Sequence, residues 1–147
     1  MSTEMNDDSA AFRERLASIH ARMADACRRS GRDPSSVRLL PVSKTVSLSS
    51  IRTAIDAGCR MFGENRVQEA MHKAESITDP DVQWSIIGHL QTNKARYVSR
   101  FAHEVQSLDS LKLARVLDRN LQKQQRQIDV FVQVNSSFES SKYGLPI

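Results

Sequence analysis

The feature that most limits what this chain can fold into is its alternation. Short apolar runs of strand length exchange with longer segments whose apolar residues recur at helical spacing. The runs fall at residues 37–43, 60–63, 82–87, 104–107 and 128–134, the last rich in β-branched side chains. Helices are expected between them, at about residues 47–57, 65–76, 92–101 and from Asp109 or Ser110 onward. Their apolar stripes are Leu48, Ile51, Ile55, then Val67, Ala70, Met71, Ala74, Ile77, then Leu113, Ala114, Leu117, Leu121. A further helix with the stripe Phe12, Leu16, Ile19, Met23, Ala26 precedes the first strand, and Gly31 and Asp33-Pro34 end it. Strands that alternate with helices make parallel βαβ units. Two architectures satisfy this pattern. Five strands complete a small doubly wound sheet, but they are only the first part of a (β/α)8 barrel, which typically needs ~250 residues. Pro41 is the one discordant residue, since proline cannot donate a ladder hydrogen bond and suits a strand end or an edge.

With 147 residues the chain fits one domain. Residues 1–9 are polar and read as a flexible tail, which leaves 10–147 as the domain. They lack a basic region and an apolar stretch, so a secretory signal is not expected. No apolar run approaches the ~20 residues of a membrane span. Cys27 and Cys59 have no CxxC spacing, so a reduced, cytoplasmic protein with no metal site is expected. The net charge of +4 raises nucleic-acid binding as a function. Against it, the basic residues are scattered. Arg28 and Arg29 suit a helix C-terminus, and Lys112, Arg115, Arg119, Lys123 and Arg126 are expected on a solvated face. Aromatics make up only 5%, too few for a base-stacking platform, so no nucleic-acid partner is expected.

Both architectures place ligands at the carboxyl ends of the strands. Those ends read Ser43-Lys44, Gly63-Glu64-Asn65, Gly88-His89, Ser107-Leu108-Asp109 and Asn135-Ser136-Ser137. A lysine there can be partly desolvated, which lowers its pKa and frees its amine to attack an aldehyde. The other polar residues have alternatives. Asn65 and Asp109 suit helix caps, His89 suits a cap or a carbonyl partner, and Asn135 suits an Asx-turn. GxGxxG, GxxxxGK[ST] and GxSxG are all absent. Ser85, His89 and Asp109 supply the residue types of a triad, but no spacing supports one.

Five strings occur in order: Leu-Pro-Val-Ser-Lys-Thr at 40–45, Ala-Gly-Cys-Arg-Met-Phe-Gly-Glu-Asn-Arg-Val-Gln-Glu at 57–69, Trp-Ser-Ile-Ile-Gly-His-Leu-Gln-Thr-Asn-Lys at 84–94, Ser-Leu-Asp-Ser-Leu-Lys-Leu-Ala at 107–114 and Val-Gln-Val-Asn at 132–135. Together they resemble the pyridoxal phosphate homeostasis proteins, the YggS-type or proline synthase co-transcribed family. The resemblance runs from about Arg13 to Leu145. It implies a fold like the N-terminal barrel of alanine racemase, here truncated after about five strands and carrying an extra N-terminal helix. It also implies pyridoxal 5′-phosphate held through a Schiff base to Lys44, with Asn65 near the ring. His89 and Asn135 join the expected pocket on strand-end position alone.

The implied role is to carry and buffer the cofactor inside the cell, with no catalytic residue, and with pyridoxal phosphate-dependent apoenzymes as recipients. The full-length family is expected to be monomeric, and open strand edges in a shortened barrel would favour self-association. The family's phosphate loops and the arginine facing the pyridine nitrogen are expected beyond residue 147. The alternative is an alanine racemase-like amino-acid racemase. That reaction needs a second acid/base opposite the lysine, usually a tyrosine, and the tyrosines here are Tyr97 and Tyr143.

Overall fold

The computed structural model describes the backbone of residues 2–147 and the side chains of residues 9–147. The tail expected over residues 1–9 lies, apart from Ser9, outside the described side chains. In chain order the elements are α1 (Ser2–Arg29), α2 (Leu48–Asp56), β1 (Met61–Glu64), α3 (Val67–Ser76), β2 (Gln83–Ile86), α4 (Ala95–Phe101), β3 (Glu104–Leu108), α5 (Leu111–Gln124) and β4 (Asp129–Val132). Single 3₁₀ turns stand at Pro34–Ser36 and Thr92–Lys94.

The four strands form one parallel sheet in the order β1-β2-β3-β4. That order decides between the two expected architectures. A doubly wound sheet reverses its strand order once, which puts helices on both faces. Here the order never reverses, so right-handed crossovers lay every connecting helix on one face, as in a (β/α)8 barrel. The fold is therefore α/β, part of a barrel of this type, with α1 added ahead of it.

Side-chain alternation sorts the two faces. Phe62, Trp84, Ile86 and Val105 face the helices and are buried. Phe62 and Trp84 meet as tilted rings 5.7 Å apart and pack with Ile51, Ala54, Ile77 and Val82. Ile86 and Val105 pack with Val67, Ala70, Val98, Leu113 and Leu117. The opposite, inner face carries Gly63, Ser85, Glu104 and Gln106 instead.

Local signals set most boundaries. Ser47 caps α2 by accepting the Ser50 N–H, and Gly58 follows the helix at φ 100°. Ser110 caps α5 by accepting from Leu113, which leaves Asp109 free for another partner. Three expectations need correction. Residues 37–43 do not form a strand: the segment touches β1 at one parallel bridge, Val42 with Gly63. Pro41 accepts from the Gly63 N–H but has no N–H to return, so the ladder cannot extend past it. Asn65 does not cap α3, which begins two residues later behind Arg66, with no side-chain cap. Arg126 is not on the solvated face of α5. It turns inward and donates to the Ser99 and Ala102 carbonyls at the end of α4, at 2.7 and 2.8 Å.

Candidate functional site

The edge segment ends in a tight turn. Ser43 donates its N–H to the Gly63 carbonyl at 2.9 Å, and its own carbonyl accepts the Val46 N–H at 3.0 Å. Lys44 and Thr45 occupy the centre of that turn. Thr45 has φ 62°, a left-handed conformation that costs a β-branched residue strain. The Lys44 side chain is exposed and enters no hydrogen bond or ion pair among the described residues.

Beneath the turn lies a buried ionic cluster. Lys73 of α3 is 5% exposed, and Glu64 at the end of β1 is fully buried. The Lys73 ammonium donates to the Ser43 carbonyl at 2.6 Å, to Glu64 Oε1 at 2.7 Å and to Glu69 Oε1 at 2.7 Å. Ser43 Oγ also donates to Glu64 Oε1, at 2.6 Å, while Glu64 Oε2 has no partner among the described residues. Glu69 Oε1 in turn accepts the Thr45 N–H at 2.6 Å. Burial works to lower the Lys73 pKa, but the bonds and charges of the two carboxylates outweigh it and raise it above the usual lysine value. Glu69 is held below the usual carboxylate range, first by the Lys73 bond and then by the Thr45 N–H. Lys73 is thus a fully engaged ammonium, with all three protons donated.

The remaining rim residues divide. A Cβ on Gly88 would overlap the Asn65 carbonyl oxygen, so glycine at 88 lets the loops after β1 and β2 touch. Asn65 and His89 then line one cleft of about 270 Å³, with Arg66, Gln68 and Lys94. His89 Nδ1 lies 3.2 Å from Asp109 Oδ2, and its ring stacks on Tyr143 with centroids 3.6 Å apart. Lys44 and Asn135 do not line this cleft. The Asn135 amide folds its own loop, as an Asx residue does. It donates to the Glu139 carbonyl at 2.9 Å and accepts from Ser137 Oγ at 3.2 Å. Ser85 donates its hydroxyl to Glu104, so it does not complete a triad with His89 and Asp109. No cluster of three or more metal-ligating side chains occurs among the described residues.

Sequence reasoning missed Lys73 and Glu69, and it named Glu64 only within a strand-end string and Tyr143 only as a candidate acid/base. The signal for Lys73 was there: it stands three residues after Ala70 and four before Ile77, on the stripe that α3 buries. Tyr143 carried no local signal, since residues 136–142 separate it from Asn135.

An amine at the carboxyl rim of a singly wound parallel sheet, secured by a buried cluster, can now be compared with known proteins. The sequence profile of the alanine racemase N-terminal domain family matches residues 13–147. The chain belongs to this family. It is 40% identical over 131 residues to the pyridoxal phosphate homeostasis protein of Pseudomonas aeruginosa, covering 89% of this chain and 57% of that one. It is 38% identical over 135 residues to the protein of the same description from Escherichia coli, covering 90% and 58%. The chain thus spans a little over half the length of the relatives it matches. PipY of Synechococcus elongatus, solved with PLP bound, superposes with a TM-score of 0.75 at 40% identity, over 90% of this chain and 57% of PipY. Alanine racemase from Bartonella henselae superposes with a TM-score of 0.55 at 18% identity, over 72% of this chain and 30% of the racemase, a likeness of fold alone.

Proposed function

We propose that this chain binds pyridoxal 5′-phosphate at the carboxyl rim of its sheet and carries it, held covalently by Lys44. The observation that carries the reading is the contrast between two neighbouring lysines. Lys73 has every proton engaged and a raised pKa, so it offers no nucleophile. Lys44, on the turn above it, is exposed and unengaged. PipY, solved with PLP bound, and the relatives described as pyridoxal phosphate homeostasis proteins support the reading.

The donor set suits the group. The cofactor, when bound, supplies an electrophilic aldehyde carbon. Lys44 would supply the amine, and Asn65 and His89, which line a cleft that Lys44 does not, would offer an amide and an imidazole as hydrogen-bonding groups. Asp109 fixes the His89 ring by taking its Nδ1 side. Asn135 acts one step away, by folding the loop that carries Tyr143.

Residues 10–147 act as one cofactor-binding domain, the protein works in the cytoplasm, and cofactor-dependent apoenzymes are the recipients. Among the described residues no helix is long and apolar enough to cross a membrane. Carriage rather than turnover is proposed because the relatives are described as pyridoxal phosphate homeostasis proteins. The test is to add pyridoxal phosphate, reduce with borohydride and map the labelled peptide. The label is expected on Lys44. Label confined to Lys94 or Lys142 overturns the assignment, and alanine racemisation well above that of the free cofactor overturns carriage.

A further inference from the structure

The cluster under the Lys44 turn is more than a tie between α3 and the sheet. Burying an ammonium costs several kcal/mol unless excellent partners compensate. A tie alone has a cheaper form in the same molecule, since α5 packs on the sheet through Leu113 and Leu117. At the equivalent place on α3 stands Lys73, and its acceptors converge on one short segment. It holds the Ser43 carbonyl directly, and it holds the Ser43 hydroxyl through Glu64. Through Glu69 it reaches the Thr45 N–H. These are the two chain neighbours of Lys44.

Two consequences follow from alternation and backbone geometry. Arg38 bonds to Glu104 on the inner face, and Leu40 lies against Gly63 there, so the even-numbered residues of the edge segment point inward. Ser43 points the other way, into the helix layer, where Glu64 and Lys73 pin it. Ser43 is thus fixed with its side chain toward the helices, and the turn that carries Lys44 starts from that fixed point. The second consequence concerns Thr45, a β-branched residue at φ 62°, which needs an outside interaction to stay there. The Glu69 carboxylate on its N–H supplies one.

We propose that Lys73 and Glu69 are positioning residues for Lys44: they clamp the peptides on either side of it and so fix the direction in which its amine leaves the rim. This rests on the reading of Lys44 as the cofactor lysine. Neither residue needs to touch the cofactor. The clamp selects Lys44 over other exposed lysines by orientation, as preorganisation does elsewhere.

Lys73→Met strips Glu64 of its counter-charge, so its effect on Lys44 is not separable from a loss of stability. The decisive pair is therefore Glu69→Ala and Glu69→Gln in the full chain, since Glu69 is partly exposed and Lys73 keeps Glu64 and Ser43 in both. The glutamine retains an oxygen for the Thr45 N–H and the alanine does not. Two quantities are read well below the unfolding midpoint of each protein: hydrogen exchange of the Thr45 amide without cofactor, and the share of borohydride-trapped pyridoxal phosphate on Lys44. In Glu69→Ala, exchange at Thr45 is expected to rise about tenfold or more and Lys44 trapping to fall about tenfold, with label spreading to other lysines. Glu69→Gln is expected to stay within about threefold of the parent on both. A Glu69→Ala chain that matches the parent on both readouts overturns the clamp while leaving Lys44 as the cofactor lysine. So does a Glu69→Gln chain that falls as far as Glu69→Ala, because charge rather than positioning would then be responsible. A parent chain that takes no label on Lys44 overturns the cofactor reading and the clamp together.

Discussion

Two buried carboxylates sit at opposite ends of the same sheet, and their surroundings differ in an instructive way. Glu64, at the carboxyl end of β1, faces the helices and is paired with Lys73, itself buried. Glu104, at the start of β3, faces the inner side, 1% exposed, and is paired at 2.5 Å with Arg38, whose side chain is half exposed. Glu104 also accepts from Ser85 and Gln106, each at 2.7 Å, so it keeps donors if the arginine leaves. Glu64 has only Lys73 and Ser43, and one of its oxygens has no partner among the described residues. The lower cluster, around Glu104, ties the edge segment to β3, two strands beyond its bridge to β1. The upper cluster spends its bonds on the neighbours of one lysine. Each carboxylate meets one cation, but Glu104 keeps two further donors and Glu64 only one.

The sharpest way to break this comparison is to remove each cation in turn. Lys73→Met leaves a buried charge with no counter-ion, and a loss of ~3–5 kcal/mol in denaturant unfolding is expected. Arg38→Met leaves Glu104 with two donors, and a loss of about 1 kcal/mol is expected. Equal losses in the two variants would erase the distinction drawn between the clusters.

Alkaline pH sharpens the contrast. The Lys73 pKa is raised on folding, so its contribution is complete below the unfolded value, about 10.4, and is lost as pH rises through the higher folded value. The lower cluster contains no lysine. Thermal melts of the parent and of Arg38→Met should therefore both weaken above about pH 10.5, and a folded Lys73→Met chain should lack that component. On the acid side the clusters behave alike. Burial pushes the Glu104 carboxyl up, but its bonds from Gln106, Arg38 and Ser85 outweigh this, and it ends below the usual range, as Glu69 does. Both contributions are present above about pH 4.3 and are lost as pH falls through the folded values. An alkaline loss that persists undiminished in Lys73→Met would place its origin elsewhere.

The same two regions show what could be read from the sequence. The βα alternation carried the fold because periodicity is a property of local stretches, and four of five expected strands and all the helices stand within a few residues of their expected places. Residues 37–43 read as a strand from composition, yet pairing is a property of two chains, and Pro41 stops the ladder at one bridge. Residues 128–134 read as the clearest strand, yet all four residues of β4 are exposed, since β-branching reports backbone preference and not what covers the strand. Lys44, Asn65 and His89 were legible as strand-end residues because a parallel topology sends every strand end to one rim. The clamp was not, because Glu64, Glu69 and Lys73 acquire meaning only once β1 and α3 bring them under residue 43.

The smallest effect on stability is expected at the lysine proposed to hold the cofactor. Lys44 is exposed and unengaged, and its backbone turn is held by the groups on either side of it. Removing this exposed side chain takes away no hydrogen bond or ion pair among the described residues, so Lys44→Ala should unfold within about 0.5 kcal/mol of the parent. It should nevertheless lose the borohydride-trapped cofactor label, while Lys73 remains unlabelled in both proteins because its three protons are all donated. The two lysines are then expected to separate along opposite axes: Lys44 dispensable for the fold and required for the label, Lys73 required for the fold and inert toward the label. Denaturant titration beside quantitative peptide mapping of both variants measures the two axes at once. A stability loss of several kcal/mol in Lys44→Ala would mean that its stem packs into the site, and the contrast between a free amine and a structural ammonium would fail at its first term.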